Sequence, residues 1–123
     1  MIIGTGCDLI AVARVAKACA REGFVKRVFT AKEIAYCKGR GKQAPASFAA
    51  RFAAKEALLK ALGTGLRGGK LTEINIINDS LGKPSIELRG YFAAYAKELG
   101  VVRVHLSLSH TQDQAMAMVV LEG

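Results

Sequence analysis

The sequence predicts an α+β domain with a mostly antiparallel sheet around one long central helix, and three observations carry that expectation. The C-terminal third alternates strictly, with VRVHLSLSH over 102–110 returning as AMAMVVLE after a short polar turn. The middle holds RFAAKEALLKALGTG over 51–65, an alanine- and leucine-rich helical pattern that breaks into glycine. Between them LTEINIIND, SLGKP and Ser85–Leu88 read as strand, turn and strand. At 123 residues the chain fits one domain, 1–123, with no repeat, linker or low-complexity segment.

Residues 2–7, IIGTGC, read as a short buried strand, with Asp8 at its end. From Ile10 to Arg21 the period becomes helical, with Ile10, Ala13, Val15 and Ala18 available for burial. Thr30-Ala-Lys-Glu33 is a capping-box pattern that starts a helix running to about Cys37. KGRGKQAPAS over 38–47 is a basic loop, and Ser47 is the expected N-cap of the long helix ending at Leu62. YFAAYAKEL over 91–99 is a short helix closed by Gly100.

Charge narrows the class of partner. The net charge is +8, and nine basic residues face two acidic ones between Arg14 and Lys42, so nearly all the excess lies in one region. That asymmetry predicts a docking surface for an acidic partner. A small nucleic-acid-binding protein would also explain the charge, but the basic segment lacks the aromatic interleaving of a base-stacking surface. Three cysteines without CxxC spacing read as free thiols of a reducing cytosol. No signal peptide or bilayer-length apolar run is visible, so a cytoplasmic protein without membrane or nucleic-acid partners is expected.

Chemistry concentrates in the central helix. Glu56 and Lys60 are four residues apart and share one face, followed by the glycines of GTGLRGGK over 63–70. They could form a plain i, i+4 ion pair, and the glycine segment could be a flexible loop. A largely buried helix, however, needs a reason for its charges. Asp8 could be a turn former. Beside Glu56 it would complete the one or two carboxylates that Mg²⁺ takes while its other positions go to water and phosphate. No GxxxxGK[ST] occurs, and GTG over 4–6 is too short for a dinucleotide fingerprint. Ser109, His110 and Thr111 stand at a strand end, suited to phosphate oxygens. Neighbours on a strand point to opposite faces, which argues against a Ser-His nucleophile pair.

Taken in register, IIGTGCDLIAVARV, FVKRVFTAKEIAYC, FAARFAAKEALLKALGTGL, LGKP and VHLSLSHTQDQAMAMVV resemble the holo-acyl-carrier-protein synthase family of 4′-phosphopantetheinyl transferases. The resemblance covers the whole chain. It implies the 4′-phosphopantetheinyl transferase fold, assembled as a homotrimer with active sites at subunit interfaces. It also implies transfer of phosphopantetheine from coenzyme A to a serine of an apo acyl carrier protein, releasing adenosine 3′,5′-bisphosphate, in support of fatty acid biosynthesis.

On matching positions, Asp8 and Glu56 would bind Mg²⁺ and Lys60 would contact the diphosphate. Gly63, Ser109, His110 and Thr111 would line the phosphate site, with Pro84 and Arg51 towards the adenosine. The general base stays open among Glu56, His110 and a water on the metal. Arg14 and Arg21, with Lys17 and the Lys26–Arg27 pair nearby, would dock the acidic carrier. Thr5 and Cys7 depart from the family pattern without touching the metal ligands, and Ala18 and Cys19 give the docking helix little apolar bulk.

Overall fold

The computed structural model describes residues 1–123. Its elements, in chain order, are β1 (Ile2–Ala11), α1 (Val12–Cys19), α2 (Glu22–Val28), α3 (Ala31–Lys38), α4 (Ala44–Leu62), β2 (Ile74–Asn78), β3 (Pro84–Leu88), α5 (Gly90–Glu98), β4 (Arg103–His110) and β5 (Gln114–Glu122). Single 3-10 turns precede α4 and β2.

The main sheet is antiparallel in the order β1-β5-β4, and β2 and β3 form a separate antiparallel hairpin. The predicted C-terminal hairpin is β4–β5, in register from Arg103 opposite Glu122 to His110 opposite Ala115. Chain ends meet at the sheet margin, where the Met1 ammonium donates to Gly123 O at 2.9 Å.

Helix α4 lies across the inner face of this sheet and is buried nearly all round, with thirteen of its nineteen residues below the surface. That is why its sequence shows no clean polar face. The close approach of β1 depends on glycine. A Cβ at Gly6 would stand 2.0 Å from Ala57 O, and one at Gly4 2.3 Å from Ala61 O. The GTG run is therefore a packing requirement. Gly63, at φ +77°, ends α4 with its amide on Lys60 O at 3.1 Å, while the Thr64 amide reaches Leu59 O at 3.3 Å, a Schellman closure.

Several boundaries differ from expectation. β1 continues to Ala11, because β5 offers it pairing partners as far as Gln114. Asp8 therefore sits within the strand, and α1 starts at Val12. That helix stops at Cys19, so Arg21 lies at the joint preceding α2, a helix that the sequence pattern does not signal. Ser47 is not a cap: α4 begins at Ala44 with Pro45 in its first turn, where proline's missing N–H costs nothing. The Ser47 hydroxyl instead accepts from Arg51 Nη1 at 3.3 Å. The Thr30–Glu33 capping box forms as predicted.

Candidate active site

The crossing of β1 and α4 brings Asp8, Glu56 and Lys60 together. Lys60 Nζ lies 3.2 Å from Asp8 Oδ1 and donates to Cys7 O at 3.0 Å. Lys60 thus closes its ion pair with the strand carboxylate, and not with Glu56 one turn earlier on its own helix. Its side chain is 57% exposed and that of Asp8 18%, so the ammonium is at the mouth and the carboxylate below it.

Glu56 is half-buried. Burial pushes its carboxyl above the ordinary range, the Asp8 charge adds to the rise, and Lys60 opposes it. Two neighbouring carboxylates served by one ammonium leave a net negative site. No third acidic, histidine or cysteine ligand joins them. This donor set suits a hard divalent cation that keeps water and ligand oxygens in most of its coordination positions. It does not suit a soft metal or an all-protein cage.

A second set of predicted residues meets at the other end of α4. Arg51, Pro84 and His110 line one cleft of about 200 Å³, with Tyr36, Arg40, Ser47 and Asn78. Arg51 is only 3% exposed. Its guanidinium stacks over the Tyr36 ring at 4.1 Å and donates to Ser47 Oγ and Asn78 Oδ1, while its Nε has no partner. A buried guanidinium so oriented suits recognition of an anion or a planar ring.

His110 also borders a larger adjoining cleft of about 570 Å³, together with Thr111, Lys42 and Gln43. The Thr111 hydroxyl is engaged by the turn itself, accepting from the Asp113 and Gln114 amides.

Ser109 is not brought into either cleft. It sits opposite Met116 on the outer face of the sheet, as strand alternation requires. Gly63 lies at the helix terminus beyond Lys60 and lines neither cleft. Arg14, Lys17 and Arg21 are all exposed or half-exposed around α1 and its junction with α2.

Sequence reasoning missed Tyr36, Asn78 and Arg40 as cleft residues. No spacing rule joins a helix, a hairpin and a loop so far apart. It also left Lys55 without a role. Lys55 is fully buried, and the signal for it was a lysine inside an otherwise apolar helical stretch.

Comparison with known proteins identifies the family. Residues 4–119 match the family model described as the 4′-phosphopantetheinyl transferase superfamily. A holo-[acyl-carrier-protein] synthase of Clostridium tetani is 48% identical over 100% of this chain and 98% of its own. The crystal structure of the Neisseria meningitidis holo-[acyl-carrier-protein] synthase superposes with TM-score 0.90 at 36% identity, covering 100% of both chains. That of a Bacillus anthracis holo-(acyl-carrier-protein) synthase, in complex with CoA (3′,5′-ADP), gives 0.81 at 36% identity over 98% of this chain and 96% of that one. Full-length agreement in sequence and fold places the chain in the holo-[acyl-carrier-protein] synthase family of the 4′-phosphopantetheinyl transferase superfamily.

Proposed function

We propose that the chain transfers the 4′-phosphopantetheine group of coenzyme A to a serine of an acidic apo acyl carrier protein, in support of fatty acid biosynthesis. The observation that carries this reading is the convergence of Asp8, Glu56 and Lys60 where β1 crosses α4. The serine oxygen attacks the β-phosphorus of coenzyme A, and the bond from that phosphorus to the bridging oxygen breaks. Adenosine 3′,5′-bisphosphate leaves with the bond's electrons.

Phosphoryl transfer of this kind asks for positioning and charge neutralisation more than for a covalent intermediate. Asp8 and Glu56 would hold Mg²⁺, which neutralises diphosphate charge when bound. Lys60, exposed and tethered only by Asp8 and a carbonyl, is free to turn its ammonium onto the leaving oxygens. Glu56 and His110 are the groups of this chain able to take the seryl proton. Arg51 and Pro84 would hold the adenosine end, and His110, Thr111 and Gly63 the phosphates.

Assembly as a homotrimer fits the outer sheet face. Cys7 and Leu9 on β1 stand opposite Met118 and Met116 on β5, all of them exposed. Ser109, on that same face, would then serve a neighbouring subunit's site. Arg14, Lys17 and Arg21 would receive the acidic carrier, speeding its approach in a salt-dependent way.

The test is to incubate the chain with coenzyme A, Mg²⁺ and apo carrier protein and to weigh the intact carrier. A gain of one phosphopantetheinyl group, abolished by chelator and by Glu56→Ala, is the expected result. An unmodified carrier and no coenzyme A binding would overturn the reading.

A further inference from the structure

Arg51 is buried in the smaller cleft without a counter-charge. It enters no ion pair, and no carboxylate lines that cleft. Both acceptors on its fork are neutral oxygens: Ser47 Oγ accepts from Nη1 at 3.3 Å, and Asn78 Oδ1 accepts from Nη2. Buried cations are ordinarily paired, so a guanidinium aimed by neutral acceptors keeps its charge for an incoming anion.

Asn78 does more than accept. It is the last residue of β2, in register with Pro84 at the start of β3. Its Nδ2 donates to Gly82 O at 2.9 Å across the intervening turn. That turn is held from within. Asp79 N donates to Lys83 O at 3.0 Å, and Asp79 Oδ1 accepts from the Leu81 and Lys83 amides, each at 2.9 Å. Asp79, the acid next in sequence, is thus committed to the turn and not to Arg51. One carboxamide therefore ties a guanidinium on α4 to a closed turn of the hairpin, and Gly82 and Pro84 of that hairpin stand in the cleft wall. A carboxylate could not do both, because it has no proton for Gly82 O.

We infer that Asn78 is a positioning residue for coenzyme A, setting the direction of the Arg51 fork and its distance from Pro84 while leaving the guanidinium unneutralised. The inference rests on the transferase reading above and deepens it, at the adenosine end of the substrate. Asn78 acts through Arg51 and the turn. Its contribution is preorganisation: the fork is already aimed before the substrate arrives, so less ordering is left to the binding step.

The experiment compares Asn78→Ala with Asn78→Asp, both assayed well below their Tm. Asn78→Ala frees the fork and the turn, and should raise coenzyme A KM by about three- to tenfold. Asn78→Asp keeps the shape and the acceptor but pairs the guanidinium with a carboxylate, and should raise it further. A hydrogen-bonding role alone gives the reverse order. Carrier KM should stay at the parental value in both. A pantetheine diphosphate lacking adenosine should show little change in KM. In an Arg51→Lys background, Asn78→Ala should add little to the coenzyme A KM, since the group that it aims is already lost.

Parental coenzyme A KM in both variants, or an aspartate no worse than alanine, would overturn the assignment while leaving the transferase reading intact. So would equal rises for coenzyme A and the adenosine-free donor, or full additivity with Arg51→Lys. A parent chain that neither binds coenzyme A nor modifies a carrier would overturn the inference and the reading together.

Discussion

Lys55 and Glu33 form an ion pair sealed from solvent, 2.7 Å apart with both side chains at 0% exposure. Glu33 Oε1 also caps α3 through Thr30 N at 2.8 Å, and Oε2 accepts from Ile76 N at 2.9 Å. One carboxylate thus joins a helix start, a strand and the central helix. Burial pulls the Lys55 ammonium below its ordinary range, and the Glu33 charge opposes that fall. Removing one partner strands the other, so Lys55→Met should cost about 3–5 kcal/mol in urea unfolding. Adding Glu33→Gln should recover much of that loss, because the uncharged amide oxygen can still accept from Thr30 or Ile76. A double variant no more stable than Lys55→Met would show that the carbonyl contacts, and not the charge, carry the energy.

Gly6→Ala tests the approach of β1 to α4. The new Cβ would lie 2.0 Å from Ala57 O, a backbone atom that cannot turn aside. Overpacking of this kind typically costs about 1–3 kcal/mol. Asp8 is two residues along the same strand face, so the strain should also separate it from Lys60. A fall in kcat at temperatures well below the variant's Tm is expected. Full activity with lowered Tm would confine the glycine's role to stability.

Glu56→Gln should stabilise the metal-free protein while abolishing transfer. The folded-state pKa of Glu56 is raised, so between its unfolded and folded values the native state binds more protons than the unfolded one. Stability conferred by that carboxyl therefore falls as pH rises through the window. Above the window the parent carries the full penalty of an ionised, half-buried group beside Asp8, and below the ordinary carboxylate range it carries none. In chelator, the Tm of Glu56→Gln should exceed the parent's at pH 7, with the gap closing as pH falls through the acid range. A gap that widens on acidification would contradict the assigned cause.

Much of this was legible in the sequence where local rules act alone. Strict alternation marked β4 and β5, and the Thr30–Glu33 spacing marked the start of α3. The Glu56–Lys60 face was readable from helical period. What escaped depended on partners distant in the chain. β1 outruns its expected end because β5 pairs with it, and Ser47 resembles a cap although Pro45 already lies in the first turn of the helix. α2 is hidden because EGFVKRV is too short for a repeating apolar face. Lys55 and Asn78 gain roles only through Val28, Leu71 and Arg51, contacts that no single stretch of sequence displays.

Arg51→Lys should separate coenzyme A recognition from carrier recognition. The guanidinium performs three tasks at once: it donates to Ser47 and Asn78, stacks on Tyr36, and leaves Nε free in a buried cleft beside Pro84 and His110. An ammonium on a flexible stem keeps the charge but cannot reproduce the planar fork or the stack. Coenzyme A KM should therefore rise by about tenfold or more, equivalent to at least ~1.4 kcal/mol. Carrier KM should stay near the parent's, because Arg51 is buried in α4 whereas Arg14, Lys17 and Arg21 lie on and beside α1. The rise should be smaller for a pantetheine diphosphate that lacks adenosine, the end that the proposed binding mode gives to the guanidinium. An Arg51→Lys enzyme with parental coenzyme A KM would move the adenosine out of this cleft and towards the larger one lined by Lys42, Thr111 and His110.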